Sequence, residues 1–335
     1  ELTLYRDNLV AQTVEKLKSK GVTYEQDGAL WLKTTGFEEY GDDQDRVLQK
    51  SDGSYTYLTP DLAYHDNKYQ RKNPKNNPQY NCFMNIWGAD HHGYIARIKS
   101  GIHALGHNAE QLEIILGQLV NLIIDGNKER MGKRRKMVTL GELVEEVGVD
   151  SVRFWMVSKS ADTTLDFDVD LAMSQSHENP VFYVQYAHAR CASIIRNAFL
   201  ETLPNENEHN KNWEVLSQAD WDTYYQTITA ESLNTLWANL ETPDTPEAQK
   251  ACRELILRLD GFEDKVCEAA RLRAPHVIAR YAQDLAGEFH HFYNVCRILT
   301  PDLETRKTRL TLIVALKKTL AQALELLGVT APESM

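Results

Sequence analysis

Four stretches of this sequence place residues of chemical interest close together. The first is Arg130-Met131-Gly132-Lys133-Arg134-Arg135-Lys136, a dense cluster of cations around one glycine. Such a loop can wrap a polyphosphate: lysine supplies a compact charge and glycine lets the backbone approach closely. By itself the run reads first as a solvated charged face or a nonspecific anion patch. The second is Gly88-Ala89-Asp90-His91-His92-Gly93, directly after an apolar run. A carboxylate there can accept from ribose hydroxyls, and either histidine can hydrogen-bond or bind metal. A two-histidine zinc site lacks a third ligand at suitable spacing, and a turn with surface histidines is the plain alternative. The third is Tyr57-Leu58-Thr59-Pro60-Asp61. A carboxylate beside a phenol suits a cationic substrate, since aspartate accepts two parallel bonds from a guanidinium. The competing reading is an acid that complements a helix dipole beside a packed ring. The fourth, Leu165-Asp166-Phe167-Asp168-Val169-Asp170, alternates acids as a calcium loop does. Leu171 stands where an EF-hand needs glycine, so an extended segment with a polar face is expected.

These residues need elements to hold them. Residues 6–20 have the apolar spacing of a helix, with Val10, Val14 and Leu17 on one face and Gly21 at its end. ALWL and then VLQ–YTYL follow, the latter split by Asp52-Gly53, which signals a hairpin. Thr59-Pro60-Asp61 has the form of a helix start, with Thr59 as N-cap. Residues 71–80 are polar, contain two prolines and predict a loop. FMNIW predicts a buried strand and GADHHG the turn after it. A helix is expected to Gly106, and ILGQLVNLII is expected to form a second strand-like run. Strand, glycine-rich turn, helix and strand is the rhythm of a parallel α/β sheet. Beyond about residue 141 helical periodicity takes over, near 179–200, 213–240, 246–270, 275–298 and 303–327, with a polar loop at 202–212. The predicted architecture is α/β over residues 1–160, followed by an all-α helical bundle over 161–335.

The composition fits a globular chain with room for two domains. No run of eighteen apolar residues reads as membrane-spanning, and the opening residues lack the pattern of a signal peptide. Cys82, Cys191, Cys252, Cys267 and Cys296 are scattered, which predicts buried reduced thiols, not a zinc site or a disulfide framework. The net charge of −11 argues against nucleic acid on bulk charge alone, although local basic clusters still bind phosphate.

Each signal is weak alone; their order is specific. SDGSYTYLTPDLAYH, NIWGADHHGYIARIKSGIHALG, QLVNLIIDGNKERMGKRRKMVTLGELVEEVGVDSVRFW and SADTTLDFDVDLAMSQSHENPVFYVQYAHAR together resemble the arginyl-tRNA synthetase family. APHVIARYAQDLAGEFHHFYNVCRIL resembles that family's helical anticodon-binding domain, and ALELLGVTAPESM its C-terminus. The resemblance covers nearly the whole chain, with 69–80 and 202–250 fitting least well. It implies the C-terminal portion of a class I Rossmann-like catalytic domain joined to an anticodon-binding bundle.

What the family implies follows residue by residue. The arginine carboxylate attacks the α-phosphorus of ATP, and the tRNA 2′-hydroxyl then takes the arginyl group. Positioning and charge stabilisation dominate such a reaction. Arg130–Arg134 occupy the KMSKS position. Lys133 matches its second lysine and Arg130 its first, while Gly132 and Arg134 replace the serines. Catalysis is thus expected of Lys133 and Arg130, and ATP contact of Gly88, Asp90, Met131, Gly132 and Lys133. Tyr57, Asp61 and His91 match the arginine pocket, with Asp61 meeting the guanidinium; Glu1 aligns with an acidic position near the substrate amine. Expected substrates and partners are ATP with Mg²⁺, L-arginine and tRNA(Arg), with no structural metal, for a cytoplasmic monomer.

For tRNA, Tyr183, Gln185, Tyr186, His188 and Arg190 form one candidate surface. Phe289, His290, Tyr293, Asn294 and Arg297 form another. Unstacked bases are read by stacking and edge hydrogen bonds. Helical spacing also fits these aromatics as core residues. A synthetase for a neutral amino acid would leave Asp61 as a costly unpaired carboxylate in its pocket. A tRNA-binding module without catalysis, whether a split-gene product or a degenerate paralogue, is the alternative. The family's HxGH motif does not occur in the sequence; His103-Ala104-Leu105-Gly106-His107 has one residue too many and reads as a helix end capped by Gly106. The 335-residue chain by itself is therefore expected to leave arginine-dependent pyrophosphate exchange at background. Robust exchange would overturn that expectation.

Overall fold

The structure is a computed structural model that describes residues 2–72, 74, 80–129, 139–200 and 245–335. The basic loop with Arg130, Met131, Gly132, Lys133 and Arg134, the expected helix at 213–240, the polar loop at 202–212 and Glu1 lie outside the described residues. Backbone packing divides the chain into two units: residues 1–119 with 161–163, and residues 120–160 with 164–335.

The first unit opens with α1 (Leu2–Arg6) and α2 (Leu9–Ser19). Asn8 at φ 57° delays the helix expected over 6–20 to Leu9 and separates it from α1, while Val10, Val14 and Leu17 are buried as the spacing required. Next come β1 (Thr23–Gln26), β2 (Ala29–Leu32) and β3 (Arg46–Gln49), an antiparallel meander in which β2 pairs with both neighbours. The β1–β2 turn, Asp27-Gly28, has positive φ at both residues, the requirement of a type I′ hairpin. The second half of the hairpin expected at Asp52-Gly53 is a single bridge, Gln49 to Tyr55. Thr56 turns the chain instead: its amide and hydroxyl donate to the Leu48 and Val47 carbonyls at 3.0 and 2.7 Å.

Helix α3 (Leu58–Gln70) then starts two residues earlier than expected. Tyr57 is its N-cap, and Thr59 is not: the Thr59 hydroxyl is buried and donates to the Leu48 carbonyl at 2.6 Å. Pro60 is tolerated because first-turn amides have no intrahelical acceptor. β4 (Phe83–Gly88), a 3₁₀ segment over Ala89–Tyr94, α4 (Ile95–Ala104) and β5 (Leu112–Gly117) complete the unit. β4 and β5 are parallel, so strand, helix and strand form the expected βαβ unit. FMNIW is half-buried where full burial was expected. Phe83 packs inward, but Ile86 on the other face is 75% exposed, because α3 and α4 cover only one face. Gly101 lets α3 and α4 close: a Cβ there would lie 2.3 Å from Leu62 Cδ2 in the core. Gly106, at φ 89°, closes α4 by a Schellman motif, its amide donating to His103 and that of His107 to Ile102.

In the second unit β6 (Val120–Ile124) pairs antiparallel with β7 (Asn127–Glu129) and parallel with β8 (Leu165–Asp168). ILGQLVNLII is therefore two strands in different sheets, with Gln118 and Leu119 between them. α5 (Leu140–Val147), α6 (Val149–Met156) and α7 (Val169–Met173) surround this sheet. In β8, Leu165 and Phe167 are buried. Asp166 accepts from Asn121 and pairs with Lys128, and Asp168 caps α7.

The helical part comprises α8 (Pro180–Leu200), α9 (Pro246–Asp260), α10 (Phe262–Leu272), α11 (His276–Val295) and α12 (Leu303–Leu327). The expected helix at 246–270 is broken at Gly261, which separates α9 from α10. One core, including Val184, Cys191, Leu285, Phe289 and Leu320, joins α8, α9, α11 and α12. Cys191, Cys252 and Cys296 are buried; Cys82 and Cys267 are exposed, against expectation. No helix among the described residues is long and apolar enough to cross a membrane.

Residues after α12 are tied down. Pro332 O accepts from His188 Nδ1 at 2.8 Å, Glu333 O from Arg196 at 2.9 Å, and the Glu333 carboxylate meets buried Lys317 at 2.6 Å. Burial keeps His188 below its ordinary pKa.

Asp66 on α3 anchors the first unit. Its carboxylate meets Lys16 of α2 at 2.5 Å and His107 beyond α4 at 2.6 Å, and accepts from Gln70 at 3.1 Å. Burial pushes the carboxyl up, but the bonds from His107 and Lys16 outweigh it and hold it below the ordinary carboxylate value. A lowered carboxyl stabilises the folded state above its unfolded pKa of about 4 and loses that effect as pH falls through the folded value. Asp66→Asn is expected to cost about 2 kcal/mol at neutral pH. In chemical denaturation the gap between the two proteins closes below about pH 4; a gap that persists there would refute the assignment.

Candidate functional site

Asp61 lies in the first turn of α3, where free amides and the helix dipole favour an anion. It is half-buried. One oxygen, Oδ2, accepts from the Tyr94 hydroxyl at 2.9 Å; the other has no hydrogen-bond partner among the described residues. Tyr57, four residues earlier and so on the same helix face, is 92% exposed, an unusual position for a large ring.

Tyr94 ends the 3₁₀ segment that follows Gly88 and carries Asp90 and His91, so one hydrogen bond joins Asp61 to that segment. Trp87, at the end of β4, packs edge-on to Tyr94 at 5.7 Å between centroids and lies 6.3 Å from the His91 ring. Asp90 and His91 are both exposed, 3.8 Å apart. The Asp90 side chain folds back over Gly88, where a Cβ would lie 2.5 Å from Asp90 Oδ1. Burial, reinforced by the Asp61 carboxylate, raises the Tyr94 pKa far above its ordinary value, so the hydroxyl keeps its proton.

A second layer fixes the backbone beneath. His65 Nδ1 lies 2.7 Å from the Asp61 carbonyl, and His65 Nε2 lies 2.8 Å from the Asn85 amide nitrogen on β4. These partners require a neutral ring with its proton on Nδ1. Asn85 Oδ1 in turn accepts from Lys68 at 2.8 Å. Burial lowers the pKa of both His65 and Lys68.

In the helical unit, α8 and α11 bring the two candidate surfaces together. His177 lies 5.6 to 6.0 Å from Tyr186, Tyr183 and His290, and Tyr183 and His290 are 4.9 Å apart. Burial, with His177 and Arg190 nearby, lowers the His290 pKa. Arg190 stacks on Tyr293 at 4.9 Å and donates to its hydroxyl at 2.8 Å. Arg297 and Asn294 are exposed. Other candidates serve the fold. The Gln185 amide donates to Asp150 at 2.8 Å and to the Thr330 carbonyl at 3.0 Å, His188 is buried against Pro332, and Phe289 is wholly in the core.

The family models described as tRNA synthetases class I (R), catalytic domain, and DALR anticodon binding domain match residues 2–166 and 184–335. The chain belongs to the arginyl-tRNA synthetase family. An arginine–tRNA ligase of Geobacillus thermodenitrificans is 44% identical over 337 residues, covering 100% of this chain and 53% of that protein. One from Listeria monocytogenes is 45% identical with the same coverage. A solved structure described as an arginyl-tRNA synthetase of Campylobacter jejuni is 30% identical. It superposes with a TM-score of 0.72, covering 99% of this chain and 63% of that one. The Thermus thermophilus enzyme, 24% identical with a TM-score of 0.70, has the same fold over 99% of this chain and 59% of its own. The chain thus spans about half the length of the curated relatives it matches.

Of the residues the synthetase resemblance singled out, the structure brings Asp61 together with the Gly88–His91 block and leaves Tyr57 open to solvent. It adds Tyr94, His65 and Asn85, which the sequence reading missed. The signal for Tyr94 was an aromatic residue at the junction of the turn and α4. His65 and Asn85 had no comparable signal, because their pairing joins residues 20 apart in sequence. In a histidine-resolved NMR titration, His65 is expected to remain the neutral Nδ1–H tautomer and to titrate below 6.5. A midpoint at or above that value would refute the burial of a neutral His65 that accepts from Asn85.

Proposed function

We propose that this chain forms part of an arginine–tRNA ligase, which joins L-arginine to tRNA(Arg) through arginyl-adenylate at the expense of ATP. The observation that carries the reading is Asp61: a half-buried carboxylate at a helix N-terminus with one oxygen held and the other open. Such a group suits a planar cation and is poorly placed beside a neutral side chain. In this reading Asp61 receives the guanidinium, Tyr57 covers it and His91 contacts the amino acid. Gly88 and Asp90 serve the nucleotide side, where Gly88 lets the backbone approach and Asp90 accepts from ribose.

From their motif positions, Lys133 and Arg130 neutralise charge on the pyrophosphate leaving Mg²⁺–ATP, with Met131 and Gly132 completing the loop. No side chain forms a covalent bond to substrate. Positioning and charge supply the rate enhancement. The division of labour we propose is catalytic for residues 1–160 and anticodon-binding for 161–335. The two family matches, 2–166 and 184–335, support it. Tyr183 and Tyr186 offer ring faces and edges to splayed bases, and Arg190 and Arg297 hold phosphate. Gln185 supports this surface from below. A cytoplasmic monomer completes the proposal.

Binding of the chain to an arginine tRNA transcript, beside one altered only in the anticodon, at two salt concentrations, tests the reading. Phosphate contacts alone give salt-sensitive, sequence-blind affinity. The altered transcript is expected to bind more weakly at both salts, by about tenfold or more per lost base contact. Equal binding that collapses together as salt rises would remove the anticodon-reading role.

A further inference from the structure

We propose that Tyr94 is a positioning residue that makes the Asp61 site selective for a guanidinium over an ammonium. The inference rests on the reading of Asp61 as the guanidinium acceptor. A fork of two parallel N–H groups needs both carboxylate oxygens in one defined plane, whereas an ammonium needs only one point of negative charge. Rotation about the terminal bond of aspartate is broad, so an untethered carboxylate samples many planes. Tyr94 removes that freedom through its 2.9 Å bond to Oδ2. That oxygen keeps a second lone pair, and Oδ1 keeps both, so the bond orients the carboxylate without filling it.

The ring that does this is itself fixed. Trp87 packs edge-on against it at 5.7 Å, and the Arg97 guanidinium lies over it at 6.0 Å. The hydroxyl's high pKa leaves it a donor at every physiological pH. The carbonyl of Asp61 is held separately by His65, which is braced by Asn85 on β4. Main chain and carboxylate of one residue are thus pinned from two points of the same strand–turn segment. A residue that served only helix packing would need one of these ties.

The test is equilibrium binding of L-arginine and of L-lysine to the 335-residue chain, its Tyr94→Phe variant and its Asp61→Asn variant, by NMR titration. Phenylalanine keeps the ring against Trp87, and thermal melts confirm that each variant is folded. Tyr94→Phe is expected to weaken arginine about tenfold while lysine affinity holds, so that the arginine-to-lysine ratio collapses. Asp61→Asn is expected to abolish the preference. If Tyr94→Phe binds arginine as well as the unaltered chain does, while Asp61→Asn loses it, the positioning role is overturned and the Asp61 reading survives. If Tyr94→Phe loses both ligands in parallel, Tyr94 is structural only and the proposal again fails. If the unaltered chain does not bind arginine, or Asp61→Asn binds it undiminished, the Asp61 reading falls and takes this inference with it.

Discussion

A carboxylate that is partly removed from water must be compensated, and the first unit is organised by how it compensates two of them on one helix. Asp61 opens α3 and Asp66 lies in the middle of it. Both need partners that the helix itself cannot supply. For Asp66 those partners are the Lys16 ammonium and the His107 ring, which draw in α2 and the segment after α4. For Asp61 the partner is a neutral hydroxyl, Tyr94, and among the described residues no ion pair reaches its other oxygen. The difference is chemical in consequence. Asp66 is a finished ion pair and therefore a structural anchor. Asp61 keeps an acceptor oxygen open, which is what a binding carboxylate needs.

The strand–turn segment from Phe83 to Tyr94 carries the load between them. Its inward residues each serve α3: Phe83 stacks on Tyr69, Asn85 binds His65, and Trp87 backs Tyr94. Alternation along a strand places such residues two apart on one face, so a single register fixes all three contacts. Gly101 on the other side of α3 permits the close helix approach that keeps Leu62 buried beneath the site. A shift of β4 by one residue would turn Asn85 and Trp87 away and present Met84 and Ile86 instead.

What the sequence made legible was what local spacing controls. The parallel strand–helix–strand rhythm, the helical C-terminal half, the buried face of α2 and the Gly106 cap all follow from periodicity or from a residue that tolerates positive φ. What it left obscure depended on partners distant in the chain. ILGQLVNLII looks like one apolar run, and only pairing with β4 on one side and β8 on the other divides it. Thr59 looks like an N-cap until the Leu48 carbonyl claims its hydroxyl. Gln185 and His188 look like surface readers on a polar helix face until the last residues of the chain fold back onto them. Asp61 and Asp90 were visible as candidates; the bond that joins Asp61 to the other block was not.

Charge gives the helical half its constraint. The chain carries a formal net charge of −11, so its long-range field does not favour a polyanion. The aromatic cluster of His177, Tyr183, Tyr186 and His290 adds little local field, because burial and the nearby Arg190 hold His290 below its ordinary pKa. Arg190 is close by, but its guanidinium lies over the Tyr293 ring and donates to its hydroxyl, which fixes its direction. An RNA-binding surface built this way draws little affinity from counterion release and more from stacking on prearranged rings. Stacking alone is indifferent to sequence, so in the proposed role discrimination falls to ring edges and to edge hydrogen bonds. For the proposed anticodon-binding role an acidic body favours specificity: it withholds sequence-blind attraction and leaves the outcome to the few groups whose geometry the helices fix.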